Sequence, residues 1–169
     1  MKEVRPTTGK TLNALFNILG PLSGKSFLDL FSGTGRVAAK ARERGAEIVT
    51  VELLRGRAAQ IRRDLGETGH LPLCMDVRRA LHWLEKRAMR FDIVFADPPY
   101  GMKWMEELPR LLEQHRSILK EGGMVIIERS RAEALELGDS AAWRLCDERK
   151  YGLSVLDFLK MKENSDVQA

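Results

Sequence analysis

The chain has 169 residues, 44% of them hydrophobic and 31% charged, with a net charge of +4 and a sequence pI near 9.2. This is the profile of a soluble globular protein with one core. It excludes a bilayer-spanning stretch and a signal peptide, since no apolar run is long enough and the start Met1-Lys2-Glu3-Val4-Arg5-Pro6 is polar, so a cytoplasmic location is expected.

In chain order, Leu12, Leu15, Phe16 and Leu19 share one face of an opening helix that Gly20-Pro21 ends. Ser26 to Phe31 reads as a short buried strand, followed by the turn Ser32-Gly33-Thr34-Gly35 and a helix from Arg36 to Arg44 closed by Gly45. Ile48 to Val51 is a second strand ending at Glu52, and a helix from Arg55 to about Leu65 follows. A third strand, Leu71 to Met75, ends at Asp76, and a helix runs from Val77 to about Ala88. Phe91 to Ala96 is a fourth strand, stopped by Asp97-Pro98-Pro99-Tyr100. Trp104 to Leu119 reads as a longer helix with Leu108, Leu111, Leu112 and His115 inward and Pro109 marking its true first turn. Met124 to Glu128 is a fifth parallel strand, and Trp143–Arg149 and Leu153–Leu159 alternate around Tyr151-Gly152 as an antiparallel pair. The expected architecture is α/β and Rossmann-like: a seven-stranded, mostly parallel sheet with an antiparallel final strand and helices on both faces. One domain spans residues 1–162, with a frayed polar tail over 163–169.

Two constellations carry chemistry. Gly33, Gly35 and Ala38 satisfy the G-x-G-x-x-G/A fingerprint after a strand, and Glu52 ends the next strand at a suitable distance for a ribose. That match alone fits NAD as well as S-adenosylmethionine. Asp29, in the strand before the turn, is placed to meet the amino-acid end of S-adenosylmethionine, and Asp76 is placed for an adenine amine. Three carboxylates suit a ligand with an ammonium, a ribose and an adenine better than they suit a pyrophosphate.

The second constellation is the elbow Asp97-Pro98-Pro99-Tyr100. Two prolines cannot continue the ladder, so the chain leaves the sheet stiffly extended and holds its carbonyls in place. An exocyclic amine is a poor nucleophile because its lone pair is delocalised into the ring. If Asp97 and the Pro98 carbonyl each accept one N–H, the lone pair is freed toward a methyl donor while Tyr100 stacks on the base. A strand-ending turn would use the same residue types.

Leu28-Asp29-Leu30-Phe31-Ser32-Gly33-Thr34-Gly35 together with Asp97-Pro98-Pro99-Tyr100 resembles the class I S-adenosylmethionine-dependent methyltransferases that modify nucleic-acid amino groups. Val4-Arg5-Pro6-Thr7-Thr8 leading into Leu15-Phe16-Asn17-Ile18-Leu19, with Lys150-Tyr151-Gly152 near the end, narrows the resemblance to the bacterial RsmD family, which methylates guanine N2 of 16S ribosomal RNA. The resemblance covers about Val4 to Lys160. It implies S-adenosylmethionine held by Asp29, Phe31, Gly33, Gly35, Glu52, Leu53, Asp76, Val77 and Asp97, with residues 1–22 lying over the cofactor site. It implies Asp97, Pro98 and Tyr100 as the catalytic set. Family members carry a basic β-hairpin ahead of Arg-Pro-Thr-Thr, whereas this sequence opens shortly before Arg5, so its grip on RNA is expected to be weaker or supplied elsewhere.

Base and phosphates are expected to meet Pro99, Tyr100, Arg5, Lys103 and Arg129, with Arg131 nearby, because these residues lie next to segments that end at the ligand-binding edge of the sheet. Most other basic clusters read as solvated helix faces. Cys74 and Cys146 lie in apolar segments and are expected to be buried free thiols; His70, His82 and His115 show no metal or triad spacing, so no metal is expected. The reading is a cytoplasmic, monomeric RNA methyltransferase acting on ribosomal RNA or a small-subunit assembly particle. The alternatives are a DNA amino-methyltransferase acting on adenine N6 or cytosine N4, and a non-catalytic RNA-binding module that keeps the fold as scaffold.

Overall fold

A computed structural model describes residues 8–138 and 142–163. Seven strands form one sheet in the order β3-β2-β1-β4-β5-β7-β6. The parallel strands are β1 (Ser26–Asp29), β2 (Glu47–Val51), β3 (His70–Leu73), β4 (Phe91–Ala96) and β5 (Leu119–Ser130). Strands β6 (Trp143–Tyr151) and β7 (Ser154–Met161) are antiparallel to each other, and β7 is antiparallel to β5. The helices are α1 (Gly9–Leu19), α2 (Arg36–Glu43), α3 (Arg55–Leu65), α4 (Val77–Lys86) and α5 (Trp104–Gln114).

The parallel strands read as continuous apolar runs because both of their faces are covered. On one face Leu12, Leu15 and Phe16 of α1 and Val37, Ala38 and Ala41 of α2 pack on Phe27, Ile48, Phe95 and Phe158. On the other, Ala80, Leu81 and Leu84 of α4 and Trp104, Leu108 and Leu112 of α5 pack on Leu28, Val49, Val94 and Val125. Helix α1 begins at a Thr8 cap, whose hydroxyl accepts from the Thr11 N–H at 3.2 Å, and ends at Gly20 with φ 67°. From β1 the chain moves outward to β2 and β3, then returns to place β4 on the other side of β1. This reversal of strand order leaves a crevice at the carboxyl ends of β1 and β4, the place where such sheets take ligands.

The fold departs from the expected elements in several places. Strand β5 starts at Leu119 rather than Met124, because the register shift against Phe91–Ile93 absorbs the Gly122-Gly123 step. A Cβ at Gly123 would lie 2.8 Å from the Lys120 carbonyl oxygen and 3.1 Å from that of Phe91. The helix expected over 104–119 stops at Gln114 and passes into a 3-10 turn, Arg116–Ile118. Pro109 lies inside α5 instead of marking its start. The Met105 carbonyl, which Pro109 cannot bond, accepts the Glu136 N–H at 3.0 Å. His115 is half-buried and bonds Glu85 Oε2 at 2.8 Å. Cys74 and Cys146 are exposed, not buried. Cys74 lies one residue beyond β3, and Cys146 sits at the register shift of the edge strand β6, which has a largely solvated surface. The expected tail lies outside the described residues except Glu163. Among the described residues no helix is long and apolar enough to cross a membrane.

Candidate functional site

The crevice at the switch point opens on a cavity of about 360 Å³, within the range of small-molecule sites. The turn after β1 supplies Phe31 and Gly33, the end of β2 supplies Glu52 and Leu53, the start of α4 supplies Asp76, Val77 and Arg78, and the elbow after β4 supplies Asp97, Pro99 and Met102. Trp104 of α5 closes one wall, its ring edge-on to Phe31 at 4.9 Å between centroids.

The glycine turn is built for close approach. Gly33 has φ 56° and Gly35 φ 82°, a region that side chains disfavour. A Cβ at Gly35 would also press to 3.1 Å on Ile61 of α3. Glu52 ties this turn to the second strand: its Oε2 accepts the Gly33 N–H at 2.7 Å and its Oε1 the Leu54 N–H at 3.0 Å. That bond takes the glycine N–H that a dinucleotide pyrophosphate would require. Each Glu52 oxygen keeps a further lone pair for hydroxyl donors. The carboxylate chemistry therefore fits a ribose without a diphosphate.

Asp29 lies beneath the turn, 1% exposed, and neither of its carboxylate oxygens has a hydrogen-bond partner. Burial raises its pKa to about 7; the nearby Phe31, Ser32 and Ala38 donors oppose the shift in part, and the negative charge of Glu52 adds to it. A carboxylate held this way is matched by a cationic ligand group. Asp76 caps α4, with its Oδ1 accepting the Arg78 N–H at 2.8 Å.

At the elbow Pro98 is buried, while Asp97, Pro99 and Tyr100 are half-buried. Burial raises the Tyr100 phenol above its ordinary value, and Asp97 and Glu128 push the same way while a hydrogen bond to Ser154 opposes them. The following loop is anchored by the Gly101 N–H, which donates to Glu133 Oε1 at 2.7 Å. It ends at Lys103, whose φ of 60° is rare outside glycine and whose carbonyl accepts the N–H groups of Glu106 and Glu107 at 3.1 Å.

Of the expected site residues, Phe31, Gly33, Glu52, Leu53, Asp76, Val77, Asp97 and Pro99 line the one cavity. Asp29, Gly35, Pro98, Tyr100 and Lys103 are outside its lining, and so is every residue of α1. Arg5 lies outside the described residues. Arg129 is a correction. It is 9% exposed, donates from Nε to Asp157 Oδ2 at 2.6 Å and from Nη2 to Glu148 Oε2 at 3.1 Å, and gives Nη1 to the Glu133 carbonyl at 2.7 Å. Its donors are committed inside the protein, so it is not a phosphate ligand. Sequence reasoning missed Trp104, Arg78 and Met102. Trp104 and Met102 had one available signal, their position just after the elbow.

The family model "Conserved hypothetical protein 95" matches residues 1–160. YlbH of Bacillus subtilis (strain 168), whose name proposes an rRNA methyltransferase, is 32% identical over 95% of this chain and 89% of its own length. The Ribosomal RNA small subunit methyltransferase D of Buchnera aphidicola (subsp. Acyrthosiphon pisum) is 28% identical over 79% of this chain and 71% of its own. Among solved structures, a conserved hypothetical protein of Streptococcus pyogenes superposes with a TM-score of 0.76 at 30% identity, covering 89% of this chain and 94% of that one. With the family model spanning nearly the whole sequence and the switch-point cavity lined by the glycine turn and the Asp-Pro-Pro-Tyr elbow, the chain belongs to the RsmD family of methyltransferases.

Proposed function

We propose that the protein transfers a methyl group from S-adenosylmethionine to the exocyclic N2 of a guanine in small-subunit ribosomal RNA. The observation that carries this reading is that Asp97 and Pro99 of the elbow line the same cavity as Glu52 and Asp76. Support also comes from the relatives named for small-subunit rRNA methylation, and from the crystal structure of SMU.776, of the same fold at 19% identity with a TM-score of 0.73, which is described as a complex with S-adenosylhomocysteine.

Bound in the crevice, S-adenosylmethionine supplies an electrophilic methyl group on its sulfonium. Glu52 accepts from the ribose hydroxyls, Asp76 from the adenine amine, and the Val77 side chain with Phe31 and Leu53 gives the ring an apolar seat. Asp29, buried beneath the glycine turn, would balance the ammonium charge from below. On the base side Asp97 and the Pro98 carbonyl take the two N–H bonds of the target amine, which aims the nitrogen lone pair and stabilises the positive charge that develops there. The amine loses one proton after attack, and Asp97 is the first acceptor in its path. Tyr100 and Pro99 hold the base face, and Lys103 meets a flanking phosphate. A base inside structured RNA must leave its stack, at a cost of about a few kcal/mol that this pocket offsets. We read the protein as a cytoplasmic monomer acting during small-subunit assembly.

Mass analysis of nucleosides tests this reading, after incubation with methyl-labelled cofactor and either deproteinised 16S RNA or partly assembled small subunits. The expected product is labelled N2-methylguanosine. No label in either RNA substrate, with label entering adenine or cytosine when DNA is offered in parallel, would overturn the RNA assignment.

A further inference from the structure

The adenine end of the cavity contains a charge network that the cofactor contacts do not account for. The Arg78 main-chain N–H donates to Asp76 Oδ1 at 2.8 Å, and its Nη1 to Asp76 Oδ2 at 3.2 Å, so both carboxylate oxygens are engaged by one residue. The same guanidinium is gripped from the far side by Glu107 of α5, Nε to Oε1 at 2.6 Å and Nη2 to Oε2 at 2.7 Å. It lies 4.5 Å over the ring of Trp104, which is itself 7% exposed and in edge contact with Phe31. Glu107 is also the largest cause of the upward shift in the Arg78 pKa, so the group stays charged.

An exposed ion pair ordinarily contributes little, because water screens it and two long side chains must be ordered. Here the pairing is bidentate and stacked on a buried ring, the geometry in which a guanidinium is held most firmly. Glu107 does not line the cavity, whereas Asp76, Arg78 and Trp104 do. Its bond to Arg78 therefore acts on the ligand only through Arg78 and Asp76.

We propose that Arg78, braced by Glu107 and Trp104, is a positioning residue that fixes Asp76 as a selector for a 6-amino over a 6-oxo purine. The inference rests on the reading that seats adenine at Asp76. A 6-amino group donates to the fixed carboxylate, while a 6-oxo group sets one acceptor against another. With both oxygens engaged by Arg78, Asp76 cannot turn away to relieve that contact. Without the brace the main-chain N–H of residue 78 still holds Oδ1, but Oδ2 loses its partner, gains freedom and water, and the two purines become closer in cost.

The test is calorimetric binding of S-adenosylhomocysteine and its inosine counterpart, S-inosylhomocysteine, to the full chain. Wild-type protein is expected to favour the adenosine compound by roughly tenfold or more, the scale of one hydrogen bond to a charged group. Glu107→Gln and Arg78→Ala should each bring that ratio toward one, with Arg78→Lys intermediate. A merely structural role would lower the melting temperature and both affinities together, leaving the ratio as in wild type. An unchanged ratio in Glu107→Gln and Arg78→Ala overturns the brace. Asp76→Asn separates the two levels. If it abolishes discrimination while Glu107→Gln and Arg78→Ala do not, adenine sits at Asp76 and only the brace fails; if wild type does not discriminate, the seating of adenine fails as well.

Discussion

Two buried aspartates on the same sheet show how differently a protein can treat a hidden carboxylate. Asp157 of β7 is 0% exposed, and Asp29 of β1 is 1% exposed. Burial pushes both carboxyls up. At Asp157 the push is opposed by Arg129, 2.6 Å away, which also reaches Glu148 and the Glu133 carbonyl. At Asp29 no donor reaches either oxygen at full hydrogen-bond geometry, and the nearby donors of Phe31, Ser32 and Ala38 oppose the push only in part. The first arrangement is closed by a full counter-charge and belongs to the fold; the second has no counter-charge of its own, and under the proposed function the cofactor's ammonium would supply one. This is why the basic residue beside Asp157 is a poor candidate for binding RNA and the acidic residue beneath the glycine turn a good one for binding a cofactor.

The largest effect should come from breaking the complete pair. Arg129→Met leaves Asp157 buried and uncompensated, and should cost about 3–5 kcal/mol in urea unfolding while the folded fraction keeps its affinity for S-adenosylhomocysteine. Adding Asp157→Leu should recover much of the loss. Unchanged stability with weakened RNA binding would restore Arg129 to the phosphate-binding set.

The incomplete site should respond in the opposite way. Asp29→Asn should weaken S-adenosylhomocysteine binding by about 1.5–3 kcal/mol, the range for hydrogen bonds to charged groups, without making the free protein easier to unfold at pH 8. The sign of the pH dependence follows from a folded pKa of about 7 against an ordinary value of 3.8. Between these values the unfolded chain has lost a proton that the folded chain keeps. The contribution to stability is therefore fully present below the ordinary value and lost as pH rises to about 7, at no more than about 1.4 kcal/mol per pH unit. Ligand affinity should run the other way, rising toward pH 7 as Asp29 ionises. Identical pH profiles for wild type and Asp29→Asn would break the comparison.

Smaller effects are expected at the elbow. Tyr100→Ala should weaken capture of the base by about 1–3 kcal/mol, the scale of base–aromatic stacking, whereas Tyr100→Phe keeps the ring and should leave turnover nearly unchanged. Lys103→Glu should lower RNA affinity and reduce the slope of its salt dependence by about one, with cofactor binding unaltered. An RNA affinity insensitive to salt would remove phosphate contacts from the account.

The same contrast marks what the sequence discloses. The parallel half was legible because its signals are local: apolar runs of strand length, glycines with φ 56° and 82° after β1, and carboxylates or a Pro-Pro step where strands end. Arg129 was misread because its partner is 28 residues away in sequence and reaches it only through the antiparallel β5–β7 pairing. Pro109 was misread for a similar reason, since the Glu136 N–H that donates to the Met105 carbonyl, and so makes a proline tolerable inside the helix, comes from a distant loop. Arg78 and Glu107 sit on two helices whose existence periodicity discloses but whose orientation toward each other it does not. Cys146 was read as buried from the apolar character of its segment, although β6 is the open edge of the sheet and the thiol is exposed.

The central claim is that the Asp97 carboxylate acts on the target amine in the transition state, and the most direct test is single-turnover methyl transfer by Asp97→Ala on small-subunit RNA, with cofactor affinity measured on the same preparation. Removing one preorganised electrostatic partner should lower the rate by a factor on the order of a hundred or more while the fold and the affinity for S-adenosylhomocysteine stay close to wild type. Wild-type turnover in Asp97→Ala would mean that the elbow after β4 only ends a strand, and would contradict the account.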